Sequence, residues 1–161
     1  VVDDLFLKVR GEILEAIRQD HTIGEDILDL FMITKYYERI GDHAADISEM
    51  TILMADKPYI RNIDHLQTMA KETMVMLVKS IEAYVEKNQE KAEKVIANDD
   101  VIDDLYDEIK MELIEAIQKD ANNGEQATDL LMVAKYLERI GDHATNIAEW
   151  VIFSITGKHE D

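Results

Sequence analysis

The feature that most constrains this chain is an internal duplication of its helical pattern. Residues 2–50 align without a gap with residues 102–150, and about half of the aligned positions are identical. The match is densest where residues 36–44 align with residues 136–144. A duplication of this kind means that one structural unit has been used twice, so each element assigned in one copy must be sought in the other.

Hydrophobic residues recur at helical spacing within each copy. In the second copy they predict a helix A around residues 66–84, a helix B over 89–120 and a helix C over 125–155. The sequence Asn122-Asn123-Gly124 is a stop and restart signal between helices B and C. The faces expected to be buried are, in helix A, Leu66, Met69, Ala70, Thr73, Met74, Leu77, Ile81 and Tyr84, and, in helix C, Val133, Leu137, Ile140, Ala144, Ile147 and Val151.

The first copy contains only the end of a helix B, near residues 1–20, and a helix C near residues 24–55. Lys57-Pro58 ends this helix C, because proline cannot continue the hydrogen-bond ladder. The sequence therefore predicts an all-α fold of tandem three-helix bundles. Residues 1–58 would form a first unit that lacks its helix A, and residues 59–161 a complete second unit.

The chain is strongly acidic, with 35 Asp and Glu against 17 Lys and Arg and a formal net charge of -18. Such a surface repels phosphate backbones and anionic lipids, so nucleic-acid binding is not expected. The absence of cysteine excludes thiolate metal ligands and cysteine nucleophiles. No apolar run reaches the roughly 18–20 residues of a membrane span, so we expect any membrane association to occur through partners.

Pairs of carboxylates occupy equivalent positions in the two copies. Glu38 and Asp42 in the first copy, and Glu138 and Asp142 in the second, are four residues apart, and Asp46 extends the first row by one turn. Like charges at this spacing cost about 0.2–0.5 kcal/mol per pair, a cost that a bound cation would offset. Oxygen ligands suit iron, magnesium, calcium or manganese, which makes these acids candidate metal ligands.

A simpler interpretation of the same acids is an exposed, salt-bridged helix face. At about 100° per residue, Glu138 and Asp142 point away from the apolar face of helix C and are expected on its outer side. Lys135 and Arg139 lie on that side and could neutralise them. Exposed ion pairs of this kind contribute little and imply no ligand.

Asp99 and Asp103 give a sharper signal because they fall on the apolar stripe of helix B. Acids in an apolar stripe are usually paired, capped or bound to a metal ion. The alternative is a break in helix B near Asn98, with Asp99 as the N-cap of the following segment. The sequence leaves these two interpretations open.

Gly41 and Gly141 each lie in the middle of a helix C, where glycine costs about 1 kcal/mol relative to alanine. They indicate either that a neighbouring helix or ligand approaches the backbone closely or that the helix simply tolerates a glycine there.

His43 and His143 follow the paired acids directly. Because they flank the apolar face, we interpret them as hydrogen-bonded packing residues and not as ligands.

The sequence lacks a Gly-rich phosphate loop, a serine nucleophile elbow and a zinc-protease motif, so we do not expect an enzyme.

The duplicated motif resembles the PhoU family. The resemblance rests on residues 38–44 (Glu-Arg-Ile-Gly-Asp-His-Ala), their copy at 138–144, and Asp99-Asp-Val-Ile-Asp103 upstream of that copy. It covers essentially the whole chain.

The resemblance implies a cytoplasmic negative regulator of phosphate uptake. Its partners would be the ATPase of the phosphate ABC transporter and the sensor histidine kinase of the Pho two-component system, and a homodimer is a further expectation. Some relatives bind metal clusters, so iron or another divalent metal is the implied cofactor. The implied ligands are, in the second copy, Asp99, Asp103, Glu138 and Asp142, and, in the first copy, Asp3, Glu38 and Asp42, with Asp46 beside them.

Two other functions remain open at this stage. A carboxylate-bridged metalloenzyme would use the same acids but would require a buried substrate pocket. A PhoU-like regulatory domain of a sodium–phosphate cotransporter would have the same fold.

Overall fold

The computed structural model describes residues 1–20, 24–56, 60 and 63–157. These ranges contain helices and connecting turns but no strand, which confirms the all-α prediction. None of these helices is long and apolar enough to cross a membrane. The helices are α1 (Val2–Gln19), α2 (Gly24–Met54), α3 (Asp64–Glu86), α4 (Gln89–Ile96), α5 (Asp99–Lys119) and α6 (Gly124–Thr156), with a 3-10 turn at Ala121–Asn123 before α6.

Helices A and C form close to their predicted bounds, but helix B is broken into α4 and α5. At the break, the amide of Asn98 donates to the carbonyl of Val95, and that of Val101 donates to the carbonyl of Asn98. These bonds span three residues and not four, which tightens the chain and interrupts the α-helical ladder. The break near Asn98, one of the two interpretations that the sequence left open, is therefore present. The predicted N-cap is displaced by one residue, because Asn98 holds that position and Asp99 begins α5.

Helix α6 is the central element of the fold and packs against α2, α3, α4 and α5, while α1 packs against α2. One side of α6 joins α3, α4 and α5 around a core that includes Val133, Leu137, Ala144 and Val151. The other side meets α2, with Ile33 and Ile40 of α2 in one cluster with Ile140 and Ile147 of α6. All six residues predicted for the buried face of helix C are buried.

The two copies of the duplicated motif meet where α2 crosses α6. The rings of His43 and His143 stack with centroids 5.5 Å apart and planes 9° from parallel. Tyr36 packs on His143 and Tyr136 on His43, each with ring centroids 5.7 Å apart. Equivalent residues thus contact each other reciprocally, as expected of two related helices packed about a local two-fold axis.

Burial at this contact lowers the pKa of His143 to about 4, and the positive charges of His43, Arg39 and Arg139 act in the same direction. His143 is therefore neutral at physiological pH, which agrees with a packing role. Nδ1 of His143 is buried without a hydrogen-bond partner among the described residues, so the predicted hydrogen bond is absent at this nitrogen. Stacking and apolar contact therefore hold this ring in place.

The prediction for the buried face of α3 is wrong at Met74 and Ile81, whose exposed fractions are 67% and 37%. Helix α3 is apolar on two sides, so periodicity alone could not decide which side faces the bundle. The side that faces the bundle carries the fully enclosed residues of the helix, namely Met69, Thr73, Met76, Ser80 and Ala83.

The two mid-helix glycines differ in their surroundings, and this difference gives a first prediction. A Cβ atom on Gly41 would lie 2.9 Å from Cγ1 of Val2, whereas one on Gly141 would lie 3.4 Å from Cγ2 of Ile102. We expect Gly141→Ala to raise the free energy of unfolding by up to about 1 kcal/mol through helix propensity. Gly41→Ala should gain less or lose stability, because the Val2 side chain must move. Urea unfolding of both variants tests this, and equal stabilisation would contradict it.

A second prediction concerns His65, which links α3 to α5. Its Nδ1 lies 2.6 Å from Oε1 of Glu112, and its Nε2 lies 3.1 Å from Oε2 of Glu108. The hydrogen bond to Glu112, with the negative charges of Glu112, Glu108 and Asp64, raises the pKa of His65. The resulting stabilisation is complete below the unfolded-state pKa near 6.5 and is lost as pH rises through the folded-state pKa.

We therefore expect the stability advantage of the native chain over His65→Gln to decrease as pH rises above about 6.5. Urea unfolding at several pH values measures this difference directly. An advantage that does not change with pH would show that the ion pairs of His65 do not contribute to folding.

Candidate functional site

Four carboxylates meet where the start of α5 lies against the middle of α6. We call Asp99, Asp103, Glu138 and Asp142 the acidic cluster. The helix break places Asp99 at the first position of α5, where its Oδ1 accepts a hydrogen bond from Oγ1 of Thr145 at 3.1 Å. This bond fixes the start of α5 beside the row of acids on α6.

The members of the acidic cluster influence one another electrostatically. Burial raises the pKa of Asp103, and the charges of Asp99 and Glu138 raise it further. Burial also raises the pKa of Asp142, to which Glu138, Asp99 and Asp103 contribute in the same direction. The four residues that the sequence singled out in the second copy are thus close enough to repel one another. Their role as ligands remains a prediction.

Two details of the predicted placement are wrong. Glu138 does not lie on an open outer face, because only 15% of its side chain is exposed. The rotation of about 100° per residue correctly placed Glu138 away from the core of α6. It could not show that α5 covers this side of α6. Asp103 is exposed and does not lie within the apolar stripe, since the break at Asn98 shifts the helical register of α5.

Lys135 neutralises part of the acidic cluster. Its ammonium group pairs with Glu138, lies 5.3 Å from the centroid of the Tyr106 ring, and opposes the rise in the pKa of both Asp103 and Asp142. The first copy repeats this arrangement: Lys35 pairs with Glu38 and lies 5.1 Å from the centroid of the Phe6 ring. The sequence indicated the pairing of these lysines with the acids. It did not indicate the contacts with Tyr106 and Phe6, because these rings lie on other helices.

The acids of the first copy are arranged less compactly. Glu38 is mostly buried, with 19% of its side chain exposed, whereas Asp3 and Asp42 are exposed. The start of α1 packs on α2 at Gly41, which places Asp3 at the edge of this region. Asp46 points to His43, with its Oδ2 3.5 Å from Nδ1 of the ring.

Carboxylate oxygens are suitable donors for hard cations, so the chemistry of the acidic cluster fits a divalent metal ion. Within the described residues, however, no three His, Asp or Glu side chains are arranged as a ready-made ligand set. Lys135 pairs with one of the four acids, Glu138. A cation, whether a metal ion or a basic side chain of a partner, would have to displace Lys135 to reach Glu138, whereas Asp103 and Asp142 are exposed.

The mutual repulsion within the acidic cluster gives a third prediction. We expect Asp103→Asn to raise the free energy of unfolding at pH 7 by about 0.2–0.5 kcal/mol, the usual cost of like charges four residues apart. Urea unfolding measures the change. Glu72→Gln on α3 is the control and should not gain stability in this way, since no acid lies three or four residues from Glu72.

The sign of the pH dependence follows from the raised pKa of Asp103. The folded chain holds this proton more tightly than the unfolded chain, so the charge of Asp103 destabilises the fold at neutral pH. The penalty disappears as pH falls through the folded-state pKa towards the unfolded value near 3.9. The advantage of Asp103→Asn should therefore shrink in acid, and a constant or growing advantage would contradict the assignment.

Comparison with known proteins agrees with the duplicated architecture. A family model described as "PhoU domain" matches residues 1–51 and 66–151. A "Phosphate-specific transport system accessory protein PhoU homolog" of Clostridium acetobutylicum is 34% identical, over 100% of this chain and 75% of that protein. A protein of the same description from Xylella fastidiosa (strain 9a5c) is 33% identical, over 97% of this chain and 63% of its own length.

Two solved structures share the fold. The crystal structure of PhoU from Pseudomonas aeruginosa superimposes with a TM-score of 0.91 at 22% identity, over 98% of this chain and 77% of that one. The phosphate transport system regulatory protein PhoU from Streptococcus pneumoniae superimposes with a TM-score of 0.81 at 23% identity, over 99% and 74%. Since the family model spans most of the sequence and the Clostridium relative is 34% identical, this chain belongs to the PhoU family.

Proposed function

We propose that this chain is a regulatory adaptor of phosphate uptake that acts on the cytoplasmic side of the membrane. In this proposal it negatively modulates a phosphate ABC transporter and Pho two-component signalling by binding the transporter ATPase and the sensor histidine kinase. The names of its relatives as accessory proteins of phosphate-specific transport support this assignment. The observation that carries the proposal is the acidic cluster, in which mutually repelling carboxylates lie near Lys135, the ion-pair partner of Glu138.

The cluster suits recognition of a cation better than catalysis. Burial is the main cause of the raised pKa of Asp103 and Asp142, and a positive charge beside them would relieve the repulsion that raises it further. A basic patch on a partner protein would supply that charge, and the formal net charge of -18 would speed the encounter. Because part of the cluster is enclosed between α5 and α6, the interaction is screened less than an ordinary surface ion pair.

A metal ion is the second cation that the cluster could accept. Iron or another divalent metal would be held in the second copy by Asp99, Asp103, Glu138 and Asp142, and in the first copy by Asp3, Glu38 and Asp42, with Asp46 nearby. Such an ion would supply positive charge that joins α5 to α6 and neutralises the acids. In this role it would be a structural or modulatory ligand.

The shape of the molecule favours an adaptor over an enzyme. A cleft of about 450 Å³ lies between α2, α3 and α6, but none of the acids in the cluster lines it. Its walls are mainly apolar side chains, including Ile47, Leu66 and Val133. A carboxylate-bridged metalloenzyme would require the acids and a substrate cleft at the same place.

The metal-binding part of the proposal gives a fourth prediction. Protein purified without chelator or affinity tag should contain metal, detectable by inductively coupled plasma mass spectrometry. The double variant Glu138→Ala with Asp142→Ala should lose the metal of the second copy. Asp104→Ala with Glu115→Ala removes two exposed acids of α5 and should retain it. Equal metal content in the two double variants, or no metal in the native protein, would contradict metal binding at the acidic cluster.

The adaptor part is tested separately by measuring binding to the purified transporter ATPase and to the cytoplasmic part of the kinase. Reversing one charge of the cluster with Glu138→Lys should weaken at least one of these interactions by about tenfold or more, the effect of losing one charged contact of roughly 1.4 kcal/mol. The control Asp104→Lys reverses an exposed charge of the same chain. Unchanged affinity for both partners in the Glu138 variant would contradict docking through the acidic cluster.

A further inference from the structure

The lysine that pairs with the acidic cluster has a second contact on another helix. Lys135 of α6 forms an ion pair with Glu138 one turn along its own helix, and its Nζ lies 5.3 Å from the centroid of the Tyr106 ring on α5. An ammonium group within about 6 Å of an aromatic centroid is attracted by the face of the ring. Lys135 therefore has two attractive partners, a carboxylate inside the cluster and a ring on the neighbouring helix.

Both copies of the duplicated motif contain this arrangement. In the first copy, Lys35 pairs with Glu38, and its Nζ lies 5.1 Å from the centroid of the Phe6 ring. Phe6 and Tyr106 are equivalent positions, since the copies are offset by 100 residues. A lysine, an acid and an aromatic ring thus recur together in two places. The ring, and not the phenol hydroxyl, is the feature that the two places share.

Glu138 requires a counter-ion when no external cation is bound. Only 15% of its side chain is exposed, so most of the carboxylate is removed from water. An enclosed carboxylate without a positive partner is costly, and Lys135, whose side chain is 38% exposed, supplies the missing charge. In the cation-free protein Lys135 therefore occupies the place that an external cation would take at Glu138.

Two positive charges at Glu138 would repel each other. A divalent ion held by Asp103, Asp142 and Glu138 would face the ammonium group of Lys135 across a partly enclosed space, where charges are screened less than at an open surface. A lysine carries its charge at the end of a flexible stem, so rotation of the side chain moves the charge without moving α6. The Tyr106 ring, already in contact with the ammonium group, is an attractive surface for it to move towards.

We infer that Lys135 is an internal occupant of the cation site, which contacts Glu138 in the cation-free protein and moves onto the face of Tyr106 when a divalent cation binds. This role rests on the cation recognition proposed above. It gives the two side chains opposite effects on affinity, since Lys135 lowers the affinity for the cation and Tyr106 raises it. A residue that only supports the fold would not improve cation binding when its charge is removed.

Binding of Mn²⁺, with the free ion measured by electron paramagnetic resonance, tests the role of Lys135. All proteins carry Glu38→Ala and Asp42→Ala, so that only the second copy keeps its acids. Lys135→Met removes the charge but keeps a long side chain, and it should bind Mn²⁺ about tenfold more tightly than this parent. Lys110→Met is the matched control and should bind like the parent. Lys110 lies 5.8 Å from the centroid of the same Tyr106 ring but pairs with an acid outside the cluster.

A double-mutant cycle tests the role of Tyr106. Tyr106→Leu removes the ring and should weaken Mn²⁺ binding by about two- to fivefold while Lys135 is present. Combined with Lys135→Met, the same change should have no effect, because no ammonium group then requires the ring. Tyr106→Phe keeps a ring, as Phe6 does in the first copy, and should bind like the parent. An equal loss of affinity with and without Lys135 would show that Tyr106 only supports the fold, and would overturn its assigned role.

Failure of this role can be distinguished from failure of metal recognition. Mn²⁺ that binds the parent, with unchanged or lower affinity for Lys135→Met, would refute the internal occupant and leave metal recognition standing. Mn²⁺ that binds neither protein would refute both. Circular dichroism verifies that the variants fold, and Lys135→Gln is a second neutral variant, so the result does not depend on the folding of a single protein.

Discussion

The contact between α2 and α6 is the interaction on which the rest of the structure depends. It joins the two copies of the duplicated motif through Ile40, Ile140 and the stacked pair His43 and His143. Stacking of two imidazoles requires that they do not both carry charge, and the low pKa of His143 meets this requirement. The same crossing leaves the opposite side of α6 free to complete the bundle with α3, α4 and α5.

This arrangement also determines where the acids can act. Glycine, aspartate and histidine are consecutive in the motif, so one side of helix C contacts the other copy while another side carries the carboxylates. In the second copy the break at Asn98 then adds Asp99 and Asp103 from α5. The contact between copies and the acidic cluster therefore use different sides of one helix.

Much of the fold could be predicted from sequence because helical periodicity is a local property. The bounds of α3 and α6, the buried face of α6 and the packing role of His143 followed from the pattern of apolar residues. The break in helix B was only one of two open interpretations, since it depends on backbone hydrogen bonds at Asn98 and Val101. Met74 was assigned to the wrong side because α3 has two apolar sides and only packing distinguishes them. The near-enclosure of Glu138 likewise required knowing that α5 covers it.

The pairing of Lys135 with Glu138 has a further consequence for any cation that approaches the cluster. The lysine lies one turn away on the same helix, so it is present at a high effective concentration and does not leave by diffusion. An external cation competes with this internal one, and weak or singly charged competitors are at a disadvantage. The Tyr106 ring offers the displaced ammonium group an alternative position. If the cluster binds a cation as proposed, this competition makes binding depend on concentrated or multivalent positive charge.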